Sequence, residues 1–151
     1  MKAITLTGTL AVLVMLSARG TTVEYHETFE ENAGGFSRRP LTHANSWEYG
    51  ESTRSCAQGN RMWATSLDEC YGPEEASAIR SPLIDLSGVA DDRVCYLGWW
   101  QLVDVESHHD NVTVEVSGDG GVSWHVLYSA SHGFPESWHF VRCHIPDNIV
   151  T

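Results

Sequence analysis

Carboxylates and histidines are concentrated in one short stretch between two predicted strands. Asp104, Glu106 and Asp110 lie there with His108 and His109. Carboxylate oxygens suit Ca²⁺, which takes about six to eight ligands. Because the stretch alone supplies too few oxygens, a calcium shell needs carboxylates from another part of the chain.

The other possible oxygen donors are Glu24, Glu27, Glu30 and Glu31, near the predicted start of the mature chain. The candidate ligands of a structural Ca²⁺ site are therefore Glu30, Asp104, Glu106 and Asp110. The alternative is that residues 104–110 form a solvated acidic loop without a bound ion. The sequence contains no motif for any other cofactor.

Motifs of catalysis are missing from the sequence. It contains no H-E-x-x-H, no G-x-S-x-G and no C-x-x-C. A carboxylate pair such as Asp110 and Glu115 serves a glycosidase only when folding sets the two groups about 5–9 Å apart across a cleft. No spacing here dictates such a separation, so we expect a non-catalytic protein, with a stand-alone glycan-processing enzyme as an alternative.

Aromatic residues offer a different chemistry, the binding of a ligand by stacked rings. The stretch 93–105 reads as the strongest strand, with Leu97 and Trp99 on one face and Tyr96 and Trp100 on the other. If the second face is open, Tyr96 and Trp100 are the candidate ligand-binding residues for a glycan or a peptide. If the strand is central and covered on both sides, both rings belong to the core.

The chain has four cysteines, which allow three disulfide connectivities. Cys95 and Cys143 lie on the apolar faces of predicted strands, whereas Cys56 and Cys70 lie in predicted loops. This placement favours the pairs Cys95–Cys143 and Cys56–Cys70. Disulfides suit an exported protein.

Elements that position these residues are short strands rather than helices. Apolar and polar residues alternate in 111–117, 124–128 and 138–145, and the glycine-rich turn 118–121 joins the first two. Shorter strands are predicted at 61–65 and 78–86, while 38–59 is polar and rich in turns. The pattern predicts an all-β fold, an antiparallel β-sandwich of the jelly-roll type.

The first twenty residues resemble a secretory signal peptide. Met1 and Lys2 give a basic start, an apolar run follows to Leu16, and small residues precede a cleavage site before Thr21, with cleavage after Ala18 as the alternative. The apolar run falls short of the ~20 residues that span a bilayer. We therefore expect a signal peptide at 1–20, one domain at 21–151 and a secreted or periplasmic location, with no membrane insertion after cleavage.

Charge limits the classes of partner. Nine basic residues against twenty acidic ones give a formal net charge of −11. Such a chain is a poor ligand for nucleic acid or for an anionic membrane surface. An extracellular glycan or protein is the expected partner.

One set of motifs resembles a known family. The set comprises Phe29-Glu30, Gly35-Phe36, Trp47, Trp63, the stretch 81–88, Trp99-Trp100 and the segment 114–124, with its S-x-D-G-G-x-S-W hairpin. It is similar to the MAM-like, concanavalin A-like jelly-roll domains of secreted bacterial proteins, which accompany immune inhibitor A-type and bacillopeptidase F-type proteases. The resemblance implies a two-sheet β-sandwich with an accessory, non-catalytic role and a structural cation.

The resemblance also implies further strands after the position of Ile145, whereas this sequence ends at Thr151. We therefore expect either a shortened domain or one that lacks its last strands. The expected function is a secreted binding or supporting module of a larger extracellular protein. The alternative is the amino-terminal fragment of a secreted hydrolase or protease whose catalytic part lies elsewhere.

Overall fold

The computed structural model describes residues 3–7, 15–18, 25–42, 44–52, 56–87, 94–133 and 137–150. Its elements are β1 Ala3–Thr7, β2 Met15–Ala18, β3 Ser37–Pro40, β4 Trp47–Glu51, β5 Arg61–Thr65, β6 Ser77–Arg80, β7 Cys95–Gln101, β8 Val112–Ser117, β9 His125–Ala130, β10 His139–Ile145 and the one-turn helix α1 Asp147–Val150. Within these residues, no helix is long and apolar enough to cross a membrane.

The strands form three sheets, and their pairings are antiparallel. The largest has the order β3-β6-β1-β8-β9, the second has the order β10-β7-β2, and β4 pairs with β5. One hydrophobic core draws side chains from all three sheets, so the arrangement is sandwich-like. Its largest fully buried side chains are Phe29, Trp47, Ile79, Leu97, Trp99 and Ile145. The all-β prediction is confirmed.

The hairpin between β8 and β9 is closed by side-chain hydrogen bonds to one carboxylate. Asp119 accepts from the backbone N–H groups of Val122 and Ser123 at 2.9 Å, and from the hydroxyls of Ser117 and Ser123. Gly120 and Gly121 follow with positive φ, which glycine adopts at little cost. The hydrogen bonds from Ser123, and then from Ser117, hold the pKa of Asp119 well below its usual range. This motif is therefore a structural turn.

A polar group lies at the centre of the core. Gln101 is 0% exposed at the end of β7. Its Oε1 accepts a hydrogen bond of 2.8 Å from Trp99 Nε1, and its Nε2 donates to the hydroxyl of Tyr128 and lies 2.8 Å from His139 Nε2. Because each partner comes from β7, β9 or β10, this network links the two larger sheets.

Strands β1 and β2 come from the stretch that resembles a signal peptide. Ala3–Thr7 lies between β6 and β8 in the largest sheet, and Met15–Ala18 lies along the free side of β7. The predicted cleavage site before Thr21 lies outside the described residues. An apolar run therefore supplies two sheet strands in the uncleaved chain.

The expected disulfides are not formed, since all four cysteines are free thiols in this structure. The register explains why Cys95 and Cys143 do not bond: Cys95 is opposite Ile145, and Cys143 is opposite Leu97. The two thiols are thus diagonal neighbours, for which typical Cα separations of about 7–8 Å exceed disulfide geometry. Cys56 packs beside Met62 and Ala64, whereas Cys70 is exposed. Burial raises the pKa of the Cys95 and Cys143 thiols.

Candidate functional site

A row of aromatic and cationic side chains lies on the outer face of β7 and β10. We call it the aromatic strip and define it by five residues: Tyr96, Trp100, Phe140, Arg142 and His144. The register sets Tyr96 opposite His144 and Trp100 opposite Phe140. Because side chains alternate along a strand, the neighbours Leu97 and Trp99 point into the core instead.

The rings of the strip contact one another across the two strands. The ring centroids of Trp100 and Phe140 are 5.5 Å apart, and those of Tyr96 and His144 are 5.7 Å apart. The Arg142 guanidinium lies 3.8 Å from the centroid of Tyr96, within range of a cation–π interaction. These contacts fix the strip on a hydrogen-bonded sheet before any ligand arrives.

A glycine makes room for the strip. Gly98 is opposite Arg142 and between Tyr96 and Trp100. A Cβ at this position would lie 2.7 Å from Phe140 Cζ, so the phenyl ring leans over the bare backbone. Any larger residue at 98 would push that ring away from its present place.

The exposure of Tyr96 and Trp100 is intermediate between the two sequence-based interpretations. Both side chains are half-buried, Arg142 and His144 are exposed, and Phe140 is 41% exposed. The outer face of β7 is therefore partly open. Tyr96 and Trp100 could be identified from the sequence. Phe140, Arg142 and His144 could not, because their position beside these rings depends on the pairing of β10 with β7.

A concave region, the polar cleft, lies beside the start of β8. It has a volume of about 410 Å³, which is within the usual range for ligand sites. Its lining residues are Leu41, Thr65, Tyr71, Glu75, Ala76, Ser77, Val105, His109, Asp110, Asn111 and Thr113.

Tyr71 organises one wall of the polar cleft. Its hydroxyl donates a hydrogen bond of 2.6 Å to Asp110 Oδ2 and accepts one of 3.4 Å from the Glu106 backbone N–H. Burial, and then the hydrogen bond to Asp110, raise the pKa of Tyr71. The phenol therefore stays a protonated donor at neutral pH.

Glu75 also lines the cleft and accepts several hydrogen bonds. Its Oε1 accepts from the Ser46 backbone N–H at 2.8 Å, from the Ser46 hydroxyl at 2.9 Å and from the Ser77 hydroxyl. Burial raises the pKa of Glu75, but these hydrogen bonds and that from Gly72 outweigh burial, so the net shift is downward. The ionised Glu75 carboxylate therefore links Ser46, Gly72 and Ser77 by hydrogen bonds.

The four residues predicted for calcium are not gathered into one group. Both Glu30 oxygens accept from the backbone N–H of Asn60, and Oε1 also accepts from that of Arg61. Asp104 and Glu106 are exposed, while Asp110 is held by Tyr71. Across the described ranges, no three His, Cys, Asp or Glu side chains are grouped to hold one metal ion. Calcium binding stays a prediction.

The aromatic strip and the polar cleft thus carry different chemistry on one chain. The first offers ring faces and a guanidinium, and the second offers hydrogen-bonded carboxylates. No family model, curated protein or solved structure matches this sequence.

Proposed function

We propose that this protein is a secreted, non-catalytic β-sandwich module of the jelly-roll type that binds a neutral glycan through the aromatic strip. The observation that carries the proposal is the row of partly exposed rings on the outer face of β7 and β10. Sugar rings present apolar C–H faces flanked by hydroxyls. An exposed aromatic face packs against the first, and charged donors reach the second.

The length of the strip supports an extended ligand. Tyr96 and Trp100 are four residues apart on one strand, which corresponds to about 13 Å. Phe140 and His144 run alongside over the same distance. A surface of this shape contacts more than one sugar ring of a chain, rather than enclosing a single small molecule.

Charge supports a neutral glycan rather than an acidic one. The whole chain carries −11, which repels polyanions at a distance. Arg142 places a cation within the strip itself, above Tyr96. Arg142 then serves as a donor to hydroxyls, with five N–H groups in a fixed plane.

Affinity electrophoresis tests the proposal. The full chain is run through native gels that contain hydroxyethylcellulose, xylan or mannan, with polygalacturonate as the anionic comparison. We expect retardation by a neutral glycan, and we expect Trp100→Ala to weaken it at least tenfold, about 1.4 kcal/mol or more.

Trp124→Ala is the matched control. Trp124 is also half-buried and also lies beside a guanidinium, that of Arg80 at 5.2 Å, but it belongs to the hairpin of the other sheet. Retardation should survive this change. Equal loss in both variants, or no retardation by any neutral glycan, would contradict the proposal.

A further inference from the structure

The largest sheet depends on its central strand. On one side of β1, Thr5 is opposite Arg80 and Leu6 is opposite Ile79; on the other side, Ala3 to Thr7 run opposite Ser117 to Thr113. Within the described part of the chain, β6 and β8 have no ladder with each other in this sheet. Strand β1 therefore joins the β3–β6 half to the β8–β9 half.

The residues beside β1 belong to the core. Ala78 and Ile79 of β6 are fully buried, as are Val114 and Val116 of β8. Removing β1 would leave two edges about 10 Å apart, since adjacent strands lie about 4.8 Å from each other. Such edges are too distant to pair, and each presents unpaired N–H and C=O groups.

A second strand from the same stretch covers β7. Met15 is opposite Gly98 and Ala18 is opposite Cys95. Without β2, this side of β7 is an edge too. Both strands thus fill places in sheets whose other members all lie beyond residue 36.

The same residues carry the pattern of a cleavable leader, with a basic start, an apolar run and a small-residue exit before Thr21. Cleavage there would remove β1 and β2 together. A second processed copy has lost the same residues, so it has no equivalent strand to donate.

We infer that the place between β6 and β8 is a strand-acceptor site: β1 occupies it in the uncleaved chain, and an apolar β-strand from outside residues 21–151 occupies it after cleavage. The accepted strand is extended over at least the five residues of β1 and antiparallel to both neighbours. It carries aliphatic residues level with Val114 and Val116, as Leu6 and Ile4 are. Strand addition of this kind is a recognised mode of peptide binding.

The test uses the full chain with a specific protease site inserted between residues 18 and 21. After cutting, the 1–18 piece is separated in mild urea, and a fluorescent synthetic peptide of residues 1–18 is added back. We expect the remaining chain to melt at a lower temperature without the peptide. We also expect saturable binding, with a melting temperature that rises with peptide concentration as linkage requires.

The matched control is the same peptide with Thr5→Pro. Thr5 pairs with both Arg80 and Glu115, and proline lacks the N–H that a central strand needs. This peptide should bind at least tenfold more weakly.

Three results overturn the inference. One is a cut chain that keeps its melting temperature and takes up no labelled peptide. The second is a Thr5→Pro peptide that binds as well as the parent peptide. The third is a remaining chain that unfolds and is not refolded by the parent peptide, because the site should form when its strand is added.

Discussion

The aromatic strip and the polar cleft differ in how far their interacting groups are already used inside the protein. In the cleft, Tyr71 donates to Asp110, and Glu75 accepts hydrogen bonds from Ser46 and Ser77. In the strip, Phe140 is 41% exposed and Arg142 is exposed. A concentration of polar residues therefore need not mark the binding surface, because those residues can satisfy one another's hydrogen bonds.

We expect the largest effect on stability from the buried hydrogen-bond network of Gln101. Gln101→Leu leaves the buried Trp99 Nε1 without its acceptor and removes the link to Tyr128. We expect a loss of about 2–3 kcal/mol in the free energy of unfolding, measured in urea. Tyr128→Phe is the milder companion: it removes one hydrogen bond, for a loss of about 1 kcal/mol. Equal stability of Gln101→Leu and the parent protein would refute the network's role.

Glycan binding should respond differently to substitutions in the aromatic strip and in the polar cleft. Trp100→Ala should weaken retardation at least tenfold, whereas Tyr71→Phe, which removes the bond to Asp110 in the cleft, should leave it within about twofold. Affinity gels with both variants make the measurement. If Tyr71→Phe is the variant that loses binding, the cleft is the site and the strip is not.

A smaller substitution tests whether the position of the Phe140 ring affects glycan binding. Gly98→Ala places a methyl group 2.7 Å from Phe140 Cζ in the present geometry, so the ring must move. We expect about two- to fivefold weaker glycan binding, because the backbone is kept while one stacking surface shifts. The corresponding control is Phe140→Leu, which removes the ring and should cost at least as much. Unchanged binding in both variants would exclude Phe140 from the ligand surface.

Acid should weaken the cleft through protonation of Glu75. The folded-state pKa of Glu75 lies below its usual value of 4.5, so its hydrogen bonds stabilise the fold above about pH 4.5 and are lost as pH falls through the folded pKa. Melting temperatures of the parent and Glu75→Gln should differ at pH 7 and converge towards pH 2. Glu31→Gln, at an exposed position, is the control and should show little difference at either pH. A constant gap between parent and Glu75→Gln would contradict this assignment.

Local pattern was enough to predict some strands. Alternation and turn residues identify β5, β8, β9 and β10, and the apolar stretch around Trp99 identifies β7. By contrast, β3 and β4 lie in a polar segment predicted as turns. Their pairing partners β6 and β5 make them strands, and such long-range pairing is not visible in local sequence.

A β-bulge in β9 changes which residues share a face, and alternation in the sequence does not reveal it. The alternation of Val126 and Tyr128 predicts that they share a face. A register shift beside Val114 and Glu115 sets Tyr128 opposite Val114 but Val126 opposite Glu115. Tyr128 consequently reaches Gln101, whereas Val126 is 59% exposed.

The candidate sites were predictable only in part for the same reason. Parity along β7 separates Tyr96 and Trp100 from Trp99, so two of the five residues of the strip follow from sequence. The other three require the register of β10 against β7. Likewise, Tyr71 meets Asp110 across 39 positions of the chain, and the two-residue offset between Cys95 and Cys143 is a property of register alone.

An apolar run near a chain start is ambiguous in a different way. A short apolar segment is typical both of a cleavable leader and of a buried strand. The strands Ala3–Thr7 and Met15–Ala18 carry both properties at once, which is the reason for the strand-acceptor inference.

The most direct test of glycan binding by the aromatic strip is a heteronuclear NMR titration of the full chain with the neutral glycan that retards it best. We expect saturable shifts of the Trp100 indole N–H and of the Phe140, Arg142 and His144 signals, while the buried Trp99 indole and the cleft signals of Tyr71 and His109 stay in place. Shifts confined to Tyr71, His109 and Asp110, with a silent strip, would contradict it and assign the ligand to the polar cleft.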